Sequence, residues 1–186
     1  FLPLSSDELM EEITDSGYAV ARVSYQDIAP DQGDGYTNGP GVLFPGNAFD
    51  GWGKLAVWAW SASRIMDYLV DLEEIDGKRI AVAGHSRLGK AALLCGAMDD
   101  RFSMVISNDS GAGGISLFRG KEGENVADLC RNFPYWFCGH LKKYAGGETK
   151  LPFDQHFLAA LVAPRKLYAA SAVDDQWACL LYTSPS

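Results

Sequence analysis

The chain has 186 residues, 47% of them hydrophobic, and a formal net charge of -8 at pH 7. A chain of this length and composition can bury a sizeable core and suits one globular domain or most of one. The acidic balance argues against nucleic acid as a partner, because a phosphate backbone attracts a basic surface, and no apolar run is long enough to span a membrane.

The first part of the chain predicts a helix, a strand and a long loop. Residues 5–16 have helical character, and residues 18–25 have the composition of an apolar strand. Residues 26–50 are dense in Gly, Pro, Asp and Asn, which predicts a surface or active-site loop. Since the chain opens on Phe1 and directly on a helix, we expect the domain to be incomplete here, with any secretion signal upstream.

Helices and strands alternate along the rest of the chain. Helices are predicted over residues 52–72, 91–98 and 153–161, and strands over residues 79–83, 102–107 and 165–172. This alternation predicts a mostly parallel sheet with helices on both faces, a three-layer α/β sandwich. The aromatic-rich stretch 111–150 is less regular and suits an insertion that caps the site. Functional sites of such sheets form at the carboxyl ends of the strands, where Ser86, Asp109 and Asp175 lie.

Residues 84–90 (GHSRLGK) carry the most informative pattern, because they join a predicted strand to a predicted helix. A serine on such a turn is a candidate nucleophile, and the next N–H, that of Arg87, can bind the oxyanion at the helix N-terminus. The match to G-x-S-x-G is imperfect, since the second glycine comes one position late, at Gly89. The alternative is an ordinary turn in which Ser86 caps the helix.

Five ordered blocks together resemble bacterial glucuronoyl esterases, also called 4-O-methyl-glucuronoyl methylesterases, which are carbohydrate esterases of the α/β-hydrolase superfamily. The blocks are residues 84–90 (GHSRLGK), 107–114 (SNDSGAGG), 123–126 (GENV), 133–138 (FPYWFC) and 174–178 (DDQWA). The resemblance covers nearly the whole chain up to Ala178. It implies an α/β-hydrolase fold, and a nucleophilic serine that attacks an ester between glucuronic acid on xylan and an alcohol, as in lignin-carbohydrate esters.

The same resemblance implies roles for neighbouring residues. Arg87 is expected to stabilise the oxyanion with its backbone N–H and its guanidinium. Lys90 and Glu124 are expected to hydrogen-bond sugar hydroxyls, and Trp177 to contact the sugar ring. Taken alone, a lysine one turn into a helix is usually solvated and a tryptophan after a strand usually belongs to the core.

The triad acid has two candidates. Asp109 matches the position where the family usually carries Glu, and Asp175 matches a second acidic position one strand later. We favour Asp109 and keep Asp175 as the alternate. Either carboxylate could instead be a simple loop cap.

The general base is expected to lie outside the fragment. None of the three histidines, His85, His140 and His156, suits the role, and in α/β hydrolases the catalytic histidine follows a later strand. The fragment is therefore expected to have little activity. We take residues 1–178 as a partial esterase domain and residues 179–186 as a non-native tail, because that tail resembles translated sequencing adapter.

The sequence predicts no cofactor and no metal site, since no cysteines form C-x-x-C pairs or sit with histidines at zinc-like spacing. The expected partner is glucuronoxylan or a lignin-carbohydrate ester, and the family implies a secreted or periplasmic protein. Two alternatives stay open. One is another carbohydrate or acyl esterase, such as an acetylxylan esterase, and the other is a noncatalytic carbohydrate-binding relative.

Overall fold

The computed structural model of the chain describes residues 7–43, 50–120 and 123–172. Its elements, in chain order, are α1 (Asp7–Asp15), α2 (Tyr25–Ile28), α3 (Lys54–Leu69), β1 (Ala81–His85), α4 (Arg87–Met98), β2 (Met104–Asn108), α5 (Val126–Asn132), α6 (His156–Val162) and β3 (Lys166–Ala170). Short 3-10 helices span Gly39–Leu43, Gly139–Tyr144 and Glu148–Lys150. No helix in these ranges combines the length and apolar character that crossing a membrane requires.

The three strands form a parallel sheet in the order β1-β2-β3. The register pairs His85 with Asn108 and Asn108 with Ala170, so the three strands end at the same edge. The structure confirms the four predicted helices, as α1, α3, α4 and α6, and the three strands predicted after residue 78, as β1 to β3. Their ends are shifted by a few residues from the predicted bounds. The sequence pattern therefore places the edge at which a site is expected.

Helix α4 lies at the centre of the described core. It packs on β1 and β2, and α3 and α6 pack on it in turn. Its apolar residues point in three directions, so that Ala91, Leu93 and Cys95 each join a different buried cluster. Because α4 is held on every side, its first turn, which follows Ser86 directly, is fixed relative to the ends of β1 and β2.

The predicted strand over residues 18–25 is wrong. Residues 18–24 form no strand, and Tyr25 begins the short helix α2. Tyr18 and Val23 are exposed, so the apolar residues of this stretch gain little burial in the described part of the chain. Composition alone cannot supply the partner strand that turns an extended segment into part of a sheet.

The stretch 111–150, predicted as an irregular insertion, contains α5 and two 3-10 helices. Asn125 caps α5 by accepting from the Asp128 N–H at 3.0 Å, and the Asp128 carboxylate accepts from the Asn125 N–H in return. Val126, Leu129 and Trp136 of this stretch are buried against α3 and α4. The segment is thus packed into the core beside the first turn of α4.

Candidate active site

Ser86 connects β1 to α4 in a strained conformation. Its backbone angles are φ 56 and ψ -124, a combination that residues other than glycine rarely adopt and that concentrates at functional sites. Its N–H donates to the Asn108 carbonyl at 2.9 Å, which ties the turn to β2. The Ser86 side chain is exposed and makes no capping hydrogen bond to α4. The geometry therefore does not support the helix-cap alternative.

Close packing explains the glycine at position 84. A Cβ built on Gly84 would lie 2.0 Å from the Leu88 carbonyl oxygen, far inside van der Waals contact. Strand β1 therefore passes directly beneath the first turn of α4. This approach produces the sharp turn that lifts Ser86 out of the sheet edge.

Asp109 leaves the sheet beside Ser86, because His85 and Asn108 are paired neighbours in the register. Its φ is 50, in the left-handed region that Asp tolerates better than most residues, and its N–H donates to the Ala170 carbonyl at 2.7 Å. The carboxylate is half-buried and accepts from the Ser171 hydroxyl at 3.2 Å. The predicted acid thus lies at the same edge as the predicted nucleophile.

Arg87 is the first residue of α4, so its backbone N–H has no acceptor within the helix. Its guanidinium forms an ion pair with Asp31 and lies over the Trp136 ring, 5.4 Å from the ring centroid. The Arg87 side chain is 37% exposed. It therefore reaches solvent at the edge where Ser86 is exposed.

Lys90 is buried rather than solvated, with 5% of its side chain exposed. Its ammonium donates to the carbonyl oxygens of Ser110, at 2.8 Å, and Ala112, and to the Glu124 carboxylate at 3.1 Å. Burial lowers the pKa of Lys90, and the charge of Arg87 acts in the same direction, while Glu124 opposes the shift. Lys90 and Glu124 thus form a buried ion pair at the first turn of α4, beside the elbow.

None of the three histidines hydrogen-bonds to Ser86 or Asp109 in the part of the chain that the structure describes. His85 bonds through Nδ1 with the Asn108 amide at 3.0 Å, and His140 bonds through Nε2 with Asp50. His156 begins α6, where its ring contacts Phe157. The expectation that none of them acts as the general base stays a prediction.

Several predicted positions lie outside the described residues. These are the alternate acid Asp175 with its neighbour Asp174, the sugar-contacting Trp177, and the tail over residues 179–186. Within the described ranges, no cluster of three or more His, Cys, Asp or Glu side chains could hold a metal ion.

Sequence reasoning missed Asp31 and underestimated Trp136. Asp31 belongs to the polar loop after α2, and its side chain is 6% exposed because it pairs with Arg87 and accepts from the Trp136 indole N–H at 2.7 Å. Trp136 belongs to the aromatic-rich stretch, yet it is 3% exposed and lies below both Arg87 and Lys90. Composition predicted a surface or active-site loop over residues 26–50, but no local signal identifies a partner more than fifty residues away.

Comparison with known proteins finds relatives that match most of the length of this chain. A family model described as "Glucuronyl esterase, fungi" matches residues 6–183. The chain is 41% identical over 91% of its length to "Carbohydrate esterase MZ0003" of an unknown prokaryotic organism, covering 40% of that protein. It is 36% identical over 87% of its length to a "4-O-methyl-glucuronoyl methylesterase" of Podospora anserina, covering 36% of it.

A solved structure gives the same answer for the fold. A "Glucuronoyl Esterase from Solibacter usitatus" superposes with a TM-score of 0.85 at 44% identity, over 94% of this chain and 46% of the other. Together with the parallel sheet flanked by helices, this likeness confirms the predicted α/β-hydrolase fold. The chain spans less than half the length of the relatives it matches.

Proposed function

Because the chain belongs to the glucuronoyl esterase family, we propose that its protein is a serine esterase that hydrolyses esters of 4-O-methyl-glucuronic acid on xylan. The observation that carries the proposal is the strained elbow, which exposes the Ser86 hydroxyl beside Asp109 and the first N–H of α4. A plain sugar-binding surface has no need of a serine held at positive φ.

The proposed reaction is acyl transfer in two steps. The Ser86 Oγ attacks the ester carbonyl while its proton passes to a general base, and the oxyanion is stabilised by the N–H and the guanidinium of Arg87. The carbonyl re-forms as the alcohol leaves with the proton. A water molecule then attacks the acyl-enzyme by the same route, which releases the glucuronate and restores the Ser86 hydroxyl.

The proposed base is a histidine oriented by Asp109, with Asp175 as the alternate acid. Since none of His85, His140 and His156 hydrogen-bonds to Ser86 or Asp109 in the described part of the chain, the proposal assigns the base to a part of the protein outside this chain. No cofactor enters the reaction. Removing the base of such a triad leaves only a small fraction of the rate, so the 186 residues alone are expected to turn over ester very slowly.

Lys90 and Glu124 are proposed to hold the uronate. Lys90 has three N–H donors, and its longest bond, at 3.1 Å, is the one to Glu124. A sugar hydroxyl can accept and donate at once, so it could enter between the two groups, accepting from Lys90 and donating to Glu124. The proposed ring contact with Trp177 rests on the family resemblance. A polymeric xylan substrate would make this a secreted or periplasmic protein.

The test uses the whole open reading frame, read on both sides of the codons for this chain and expressed in full. A benzyl or methyl ester of 4-O-methyl-glucuronate and an acetylated xylan are assayed side by side. Ser86→Ala is expected to abolish turnover of the glucuronate ester. Ser103→Ala, which alters a serine near the opposite edge of the sheet where its hydroxyl donates to Ile80, is expected to retain it.

Each other result favours a different function. Turnover of the acetylated xylan but not of the glucuronate ester would make the protein another carbohydrate esterase. Binding of glucuronoxylan by the folded protein with no turnover of either ester would make it a noncatalytic carbohydrate-binding relative. If Lys90→Ala left turnover of the glucuronate ester unchanged, the role given to Lys90 would be wrong.

A further inference from the structure

Asp31 lies behind the candidate oxyanion site in a position that its sequence context does not explain. It belongs to the loop after α2, yet its side chain is only 6% exposed. One carboxylate oxygen pairs with the Arg87 guanidinium, and the other accepts from the Trp136 indole N–H at 2.7 Å. One oxygen of this buried carboxylate is therefore committed to Arg87, and the other to the tryptophan on whose ring Arg87 lies.

Trp136 gives Arg87 a second fixed contact. Its ring is buried, stacks on Phe133 with centroids 3.8 Å apart and planes 5° apart, and carries the Arg87 guanidinium on its face. A guanidinium that pairs with a carboxylate at its edge and lies with its face on an aromatic ring has little freedom to rotate. The same tryptophan orients Asp31, because its N–H fixes the second carboxylate oxygen.

The loop that carries Asp31 is itself anchored, so that Asp31 cannot follow Arg87 if the arginine moves. The Tyr135 hydroxyl donates to the Asp31 carbonyl at 3.0 Å. One residue before Asp31, the Pro30 carbonyl accepts from Lys54, whose ammonium also pairs with Asp34 at 2.8 Å. Lys54 begins α3 and is almost fully buried, so the loop is tied to the core on both sides of Asp31.

We propose that Asp31 is a positioning residue, which holds the Arg87 guanidinium where it can stabilise the oxyanion formed on Ser86. The inference rests on the proposed esterase function. Arginine has five N–H donors, and Asp31 occupies one end of the fork while the side chain stays partly exposed toward the site. The remaining donors are thereby aimed before substrate arrives.

Pairing with a carboxylate also weakens the positive field of Arg87, which opposes this benefit. Orientation outweighs that loss because an oxyanion site works through donors that need no rearrangement during the reaction. An unpaired guanidinium on a long side chain would spread over many rotamers and be fully hydrated. The guanidinium would then have to be ordered and desolvated in each catalytic cycle, which would raise the barrier to reaction.

A kinetic double-mutant cycle tests the proposal on the full-length protein and the glucuronate ester. We expect Asp31→Asn, which keeps the shape but removes the charge, to lower kcat by roughly 10- to 100-fold with little change in KM. Arg87→Ala should lower kcat by about 100- to 1000-fold, as removal of an oxyanion donor does. Adding Asp31→Asn to Arg87→Ala should change kcat very little, because Asp31 acts only through Arg87.

Additive losses in the double variant would overturn the proposal, since they would mean that Asp31 supports the site by another route. Tyr135→Phe is the matched control, because it removes the hydrogen bond to the Asp31 backbone and leaves the carboxylate intact. It is expected to keep kcat close to that of the unaltered protein, because the Lys54 bonds to Pro30 and Asp34 still hold the loop on both sides of Asp31. An equal loss of kcat in Tyr135→Phe and Asp31→Asn would point to loop integrity and against a specific action on Arg87.

A spectroscopic measurement decides the matter even if no ester is turned over. Guanidinium Nη protons give NMR signals at low temperature when hydrogen bonds slow their rotation and exchange. The Arg87 signals, assigned with Arg87→Ala, are expected in the unaltered protein and in Tyr135→Phe, and should be lost in Asp31→Asn. Their persistence in Asp31→Asn would overturn the proposal, whereas absence of turnover in every form, with this NMR pattern intact, would overturn the esterase function alone.

Discussion

Replacing Ser86 by glycine should make the protein more stable while it removes the nucleophile. At φ 56 and ψ -124, a residue with a Cβ is strained by about 1–3 kcal/mol, and glycine is not. Glycine also gains more freedom in the unfolded chain, which offsets about 0.5–1 kcal/mol. The net expectation is that Ser86→Gly unfolds with a free energy about 1 kcal/mol above that of Ser86→Ala.

Ser86→Ala serves as the reference because alanine keeps the strain and loses only the hydroxyl. Since that hydroxyl is exposed and makes no capping bond, Ser86→Ala should match the unaltered protein in stability. Asn125→Ala is the positive control, because Asn125 does cap α5, and loss of a real cap costs about 1 kcal/mol. Urea unfolding followed by tryptophan fluorescence measures all four proteins.

Two results would refute this reasoning. If Ser86→Ala lost as much stability as Asn125→Ala, Ser86 would be a helix cap in solution. The interpretation of residues 84–90 as an ordinary strand-to-helix turn would then be favoured. If Ser86→Gly were no more stable than Ser86→Ala, the backbone at this position would carry no strain. The argument that links the elbow to catalysis would then fail.

Three further predictions concern the two ends of α4. Glu124→Gln should lower the free energy of unfolding by about 3 kcal/mol in urea titrations, because it leaves the buried Lys90 charge unpaired, and a loss below about 1 kcal/mol would mean that water reaches the pair. The pKa of Asp99 is lowered from 3.8 to about 2, chiefly by hydrogen bonds from the Arg101 guanidinium. The ionised carboxylate therefore stabilises the fold above pH 4, and this contribution is lost as the pH falls toward 2. Asp99→Asn should therefore lower the free energy of unfolding by about 2 kcal/mol at pH 7, and the difference from the unaltered protein should narrow below pH 4. A difference that stayed constant with pH would contradict the lowered pKa. Gly84→Ala should cost at least about 3 kcal/mol or prevent folding, whereas Gly77→Ala, where the nearest atom would lie 3.5 Å away, should be tolerated in thermal melts.

Local patterns predicted the elements of this fold wherever burial follows from sequence. The helices around α3 and α4 and the strands β1 to β3 carry apolar residues at the spacing that their burial requires. The stretch over residues 18–24 has the same strand composition but remains mostly exposed and pairs with no strand in the described ranges. Whether such a segment joins a sheet depends on a distant partner, which composition does not contain.

The candidate site divides along the same physical line. Ser86 and Asp109 could be predicted because each directly follows a strand, and parallel strands end together. The burial of Lys90 could not, since a lysine in the first turn of a helix is ordinarily solvated. The ion pair of Arg87 with Asp31 joins residues 56 positions apart, through a loop whose composition indicates only that it is a loop.

The displaced glycine of the elbow motif has a geometric reason that the one-dimensional pattern hides. A Cβ on Gly89 would lie 2.8 Å from the Asn108 carbonyl oxygen, and that same oxygen accepts the Ser86 N–H at 2.9 Å. A side chain at position 89 would therefore push on the acceptor that holds the nucleophile at its positive φ. Position 88 needs no glycine here, because the Leu88 side chain packs against the buried cluster that contains Trp58 of α3 and Ala91 of α4. The requirement for glycine follows the carbonyl of the neighbouring strand, so a departure from G-x-S-x-G by one position preserves the elbow and the exposure of Ser86.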